Sequence, residues 1–166
     1  MKTNKIIFLD HDGVLCLSTE WGSRFKNKEG FDSLFDRFND KAIKTLNQII
    51  EETDCEIVVS SDWRFHCTLE QMKELYKIRG IKKSPIDYTR NDLDWKLFKD
   101  VHPGNELEMT RCFEIQDWLK EHPEVTHWVA VDDMDLSYLS NFVQTPRSKE
   151  GIKQCGIKEK ILKFLK

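Results

Sequence analysis

Apolar residues fall along this chain in short blocks, and each block ends at a polar or turn-forming residue. Lys5 to Leu9 is an apolar run closed by Asp10, which predicts a short buried strand. Ile57-Val58-Val59 repeats the pattern and ends at Ser60-Ser61-Asp62; Trp128-Val129-Ala130-Val131 repeats it again and ends at Asp132-Asp133. Asn141-Phe142-Val143 is a candidate fourth strand. Between these runs the apolar spacing turns helical. Asp40 is placed to cap a helix bearing Ala42, Ile43, Leu46, Ile49 and Ile50. Thr68 and Gln71 have capping-box spacing ahead of Leu69, Met72, Leu75 and Tyr76, with Gly80 as a stop. Thr110 is expected to cap a helix with Cys112, Ile115, Trp118 and Leu119 on one face, ending at His122-Pro123. Ile157, Ile161, Leu162 and Leu165 stripe a last helix. Strands alternating with helices predict an α/β fold, a mainly parallel sheet with reactive groups at the carboxyl ends of its strands.

The length of 166 residues suits one domain, residues 1–166, large enough to bury a core. Two stretches break the periodicity and are read as small flaps or insertions. Residues 14–39 set Trp21, Phe25, Phe31, Phe35 and Phe38 among charges; residues 82–109 are polar and hold Pro85, Pro103 and Gly104. With 39% hydrophobic and 33% charged residues the chain is neither disordered nor fibrous. No apolar run approaches the roughly 20 residues of a membrane-spanning helix. The five cysteines are scattered without a C-x-x-C pair, so no disulfide framework or zinc site is indicated and a reducing, cytoplasmic setting is expected. The formal net charge is −3, yet residues 147–166 carry seven basic and two acidic side chains, which leaves −8 for the rest. Such a basic tail is either a solvated helix face or a contact for a phosphate backbone.

The candidate chemistry lies where the strands end. Asp10 and Asp12 follow the first strand directly and precede Gly13. The D-x-D spacing itself is weak, because Asp92/Asp94 and Asp133/Asp135 share it, and only Asp10/Asp12 sits directly after an apolar strand and before a glycine. If the strands are parallel neighbours, Asp10, Asp12, Ser60, Asp132 and Asp133 meet at one sheet edge. Crowded carboxylates repel one another and raise each other's pKa values. A hard cation relieves that, and Mg²⁺ suits one or two carboxylates plus a substrate phosphate.

Leu9-Asp10-His11-Asp12-Gly13-Val14, Ser60, Arg111 and Asp132-Asp133 resemble the four motifs of the haloacid dehalogenase-like (HAD) superfamily of phosphohydrolases. Asp-Gly-Val-Leu, Ser-Ser-Asp-Trp-Arg, Arg111 with Glu114-Ile115 and Trp118-Leu119, and Val131-Asp132-Asp133 are more closely similar to the HAD domain of Swiss-army-knife RNA repair proteins, from about Ile6 to Gly151. His11 departs from the small or apolar residue usual between the two aspartates. The resemblance implies a Rossmann-like three-layer α/β/α fold with a minimal cap or none. It implies Asp10 as nucleophile, forming an aspartyl-phosphate, and Asp12 as general acid and then base. Mg²⁺ would be held by Asp10, the Asp12 carbonyl, Asp132 and Asp133, while Ser60, the Ser61 backbone and Arg111 bind the phosphoryl oxygens.

Beyond the second motif, Arg64 is placed either to grip a further phosphate or to pair with an acid, and Trp63 either to stack on a base or to join the core. The gaps of 47 residues between Asp12 and Ser60 and 50 between Ser60 and Arg111 leave no room for a large cap. Because small-molecule members of the superfamily usually carry such a cap, the resemblance implies an open site and a macromolecular substrate, such as an RNA or DNA end phosphate, with the aromatic and basic stretch from Trp21 to Phe38 (including Arg24, Lys26, Lys28 and Arg37) as a lining. A phosphoprotein or small nucleotide remains an alternative substrate. A receiver-like signalling domain fits less well, because its acidic pair and acceptor aspartate come in another strand order. A non-catalytic nucleic-acid-binding module leaves the aspartates without a purpose.

Overall fold

The computed structural model describes residues 4–17, 37–146 and 150–166. Its centre is a five-stranded, all-parallel sheet: β1 (Asn4–Leu9), β2 (Glu56–Val59), β3 (Asp87–Tyr88), β4 (Val125–Asp132) and β5 (Phe142–Gln144), in the order β3-β2-β1-β4-β5. The chain steps outward from β1 to β3, then returns to the other side of β1 with β4. That reversal puts the topological switch point between β1 and β4, where open α/β sheets bind ligands. Leu9 pairs with Val59 on one side and Val131 on the other, so the three strands end level.

β1 is buried on both faces. Ile7 and Leu9 join one core with α1 (Asp40–Thr53), α2 (Leu69–Ile78) and α4 (Ile157–Leu165); Ile6 and Phe8 join another with Cys112, Ile115 and Trp118 of α3 (Glu106–Glu121). Helices on both faces force the strands to be apolar throughout, which is why they read as runs rather than alternations. The layering is the expected Rossmann-like α/β/α fold.

Two helix starts differ from expectation. Asn39, not Asp40, caps α1, its Oδ1 accepting from Ala42 N at 3.0 Å, and Asp40 pairs with Arg79. α3 begins four residues before Thr110, whose hydroxyl donates to Glu106 O at 2.7 Å. Glu106 and Glu108 in its first turn complement the positive helix end. The capping box of Thr68 and Gln71 is present. Residues 82–109 are not a plain loop. They hold the edge strand β3, too short and polar to signal itself, and a 3₁₀ turn at Trp95–Phe98 fixed to α3 by Phe98 against Phe113, centroids 5.0 Å apart. Within the basic tail, α4 is followed by Lys166, and Lys158 and Lys166 both pair with Glu52; Arg147 and Lys149 lie outside the described residues. All five cysteines are free thiols. Among the described residues no helix is long and apolar enough to cross a membrane.

Candidate active site

Asp10 continues β1, its N–H donating to Val131 O, and Ser60 continues β2, its N–H donating to Leu9 O, both at 3.0 Å. Asp132 closes β4. Backbone pairing thus carries these side chains to one edge. Asp10, Asp132 and Asp133 each present an oxygen within 4.8 Å of the others. Gly13 is held at φ +78, and a Cβ there would stand 2.6 Å from Asp133 Cγ, so a side chain would displace that carboxylate.

Arg111 reaches the cluster from α3. Nη1 donates to Asp132 Oδ2 at 2.8 Å and lies 3.4 Å from Asp10 Oδ1, while Nη2 donates to Asp62 Oδ1 at 2.7 Å. Burial alone would lower its pKa, but Asp132, Asp10 and Asp62 outweigh burial and keep it firmly charged. Burial pushes the Asp10 carboxyl well above the usual carboxylate range; Asp132 and Asp133 push the same way, and Arg111 only partly opposes them. Three carboxylates against one guanidinium leave a formal −2. A purely oxygen donor set carrying that charge fits a hard divalent cation. Ser60 adds an independent sign: it is 2% exposed, and its Oγ has no hydrogen-bond partner among the described residues. A buried hydroxyl left unmatched in a fold is unfavourable unless a ligand completes it.

Asp12 is held from the opposite side. Trp63 Nε1 donates to Asp12 Oδ2 at 3.2 Å, and Trp63 itself is buried, stacked on Phe38 with centroids 5.1 Å apart. His11 points into the same box. It lies edge-on to Phe38 and Trp63, and its Nε2 shares a 2.6 Å hydrogen bond with Tyr76 Oη. Burial, aided by Arg111, lowers its pKa to about 3, so this histidine is neutral and serves as an aromatic core residue.

Two open alternatives fall on the structural side. The Arg64 side chain is 2% exposed and all three nitrogens are engaged within the protein, as in its acid-pairing alternative. It donates to Ser61 O, Thr89 O and Oγ1, Arg90 O and Glu114 Oε2, tying α3 to the segment after β3. Trp63 is core rather than a base-stacking platform. Ser61 caps the 3₁₀ turn Asp62–Phe65, its Oγ accepting from Trp63 N at 3.3 Å. Of the proposed aromatic and basic lining, Trp21, Arg24, Phe25, Lys26, Lys28, Phe31 and Phe35 lie outside the described residues, and Phe38 is buried. The reach of Asp62 to Arg111, 49 residues away, and of Trp63 to Asp12, 51 away, left no signal in spacing.

The family model for the HAD domain in Swiss Army Knife RNA repair proteins matches residues 6–154. The chain belongs to that family. Membership implies a phosphohydrolase, and the acidic cluster of this HAD domain sits where the fold gathers its strand ends. Searches of curated proteins and of solved structures find no match.

Proposed function

We propose that this HAD domain is a Mg²⁺-dependent phosphomonoesterase that works through an aspartyl-phosphate on a nucleic-acid end phosphate, RNA in the first instance. The observation that carries the reading is the meeting of Asp10, Asp132, Asp133 and Arg111 beside a buried, unmatched Ser60 hydroxyl. Family membership supports the RNA-repair context.

In this reading Asp10 attacks phosphorus, forming an Asp10 O–P bond as the P–O bond to the leaving group breaks. Asp12, oriented by Trp63, protonates the departing oxygen; it then takes a proton from the water that attacks phosphorus and frees Asp10. Ser60 Oγ donates to a phosphoryl oxygen, and Arg111 compensates charge on the same group. Asp10, Asp132, Asp133 and the Asp12 carbonyl would hold Mg²⁺, which offsets the repulsion between carboxylates and phosphate. Ser61 contributes backbone beside Ser60.

The test is phosphate release from a 3′-phosphorylated RNA oligonucleotide with Mg²⁺ and with EDTA, in wild type and Asp10→Asn, with a 5′-phosphorylated strand alongside. Mg²⁺-dependent release that Asp10→Asn abolishes is the expected result. Equal release by Asp10→Asn would remove the covalent mechanism.

A further inference from the structure

We propose that a groove beside the catalytic carboxylates seats the terminal nucleobase of the phosphorylated strand. The inference rests on the phosphatase reading and adds to it a recognition site for the substrate's end.

The groove has a volume of about 250 Å³, and Asp62, Phe65, Asn91, Trp95, Leu107 and Arg111 are among its walls. Arg111 also touches Asp10 and Asp132, so one side chain is shared by the groove wall and the acidic cluster. A strand end whose phosphate is held at that cluster has its terminal base one sugar away, within reach of the groove. The space lies below the range of about 300–1,000 Å³ typical of sites for drug-sized ligands, and it suits one ring system rather than a folded segment.

The walls are mixed, and three large apolar side chains among them are exposed. Phe65 is 57% exposed, Trp95 44% and Leu107 60%. Both aromatic residues are positioned by anchored turns. Phe65 ends the 3₁₀ turn capped by Ser61, and the Arg64 guanidinium lies 5.7 Å from its ring centroid. Trp95 opens the turn capped by Asp94, whose Oδ1 accepts from Lys96 N at 2.9 Å. Rings held in place without a ligand have little order left to lose on binding one, which favours stacking.

Charge argues for a neutral guest. The groove's charged walls pair among themselves, Arg111 with Asp62 and Arg64 with Glu114. They offer no net attraction to a cationic or anionic side chain. Asn91 is exposed and brings both an amide donor and an acceptor, the complement of a base edge. A neutral flat ring with a hydrogen-bonding rim, joined to a phosphate through one sugar, is a nucleobase at a strand end.

The test compares kcat/KM for two oligonucleotides, on whichever phosphorylated end the enzyme hydrolyses. They differ only in whether the terminal nucleotide bears its base or is abasic. Wild type should prefer the base by about tenfold, the scale of one stacked base. Trp95→Ala and Phe65→Ala should bring that ratio toward one, and Trp95→Phe should keep most of it. A ratio that both alanine variants leave intact, or a wild-type ratio of one, overturns the inference while the phosphatase reading stands. So does hydrolysis of a phosphotyrosine peptide, but not of oligonucleotides, with the same dependence on Trp95. Release from glycerol phosphate with none from any oligonucleotide overturns the nucleobase site and the nucleic-acid substrate together. Release from none of these substrates overturns the phosphatase reading, and this inference with it.

Discussion

The indole N–H of Trp63 points at the Asp12 carboxylate, 3.2 Å from Nε1 to Oδ2, across 51 residues of sequence. The ring is locked by its stack on Phe38, so it can hold Asp12 in one rotamer without relying on solvent. Trp63→Phe keeps the stack and removes the donor. If Asp12 is the general acid, kcat should fall about tenfold on an alkyl phosphate, the scale of one hydrogen bond to a charged group. The loss should be smaller on p-nitrophenyl phosphate, whose leaving group needs little protonation. An equal loss on both substrates would assign Trp63 to packing alone.

Asp10 bears burial and the charges of Asp132 and Asp133, which raise its pKa in the fold. An acid raised in this way destabilises the folded state progressively as the pH rises from its unfolded pKa to its folded one; the penalty is full above the folded pKa and vanishes only below the unfolded one. In EDTA at neutral pH, Asp10→Asn should therefore raise the melting temperature. Mg²⁺ should raise the wild-type value in turn, and Asp10→Asn should shrink that increment. A wild-type melting temperature indifferent to Mg²⁺ would count against the metal site.

His11 titrates at about 3 in the fold, held down by burial and by Arg111, against about 6.5 in an unfolded chain. The groups packed against it are the Tyr76 hydroxyl, the rings of Phe38 and Trp63, and the neighbouring Asp10. As pH falls through 6.5 the unfolded chain takes up a proton that folded His11 refuses, so stability is lost on the acid side. Between pH 7 and pH 5 the loss should be about 2 kcal/mol. Urea titrations in EDTA should show it, and His11→Gln, which still offers Tyr76 a partner, should flatten that limb. An unchanged slope would mean that His11 protonates inside the fold.

Arg64 and Glu114 form a buried ion pair at 3.1 Å. Arg64→Ala should cost about 3–5 kcal/mol, because it leaves the Glu114 carboxylate buried without its partner. The remaining folded protein should keep its KM for p-nitrophenyl phosphate, which has no nucleobase to reach the groove. A raised KM in a variant of normal stability would return Arg64 to the phosphate site.

Much of the site was legible along the chain, because strand ends carry local signals. Asp10, Ser60, Asp132 and Asp133 each follow an apolar run, and parallel pairing of those runs places them together by period and register alone. The HAD motifs are of this kind, since each is a few residues whose backbone setting is local. Helix starts were less certain. Asn39 and Asp40 both suit an N-cap, and Thr110, which also suits one, sits a turn inside α3 with its hydroxyl donating to Glu106 O. What tertiary structure alone decided is which polar groups spend their hydrogen bonds on the protein. Arg64 faces inward to Glu114, Trp63 turns its donor to Asp12, and His11 is neutral because three rings surround it. Each outcome depends on partners brought from distant segments, and an arginine's sequence neighbours do not reveal whether its nearest acid will lie in solvent or in the core.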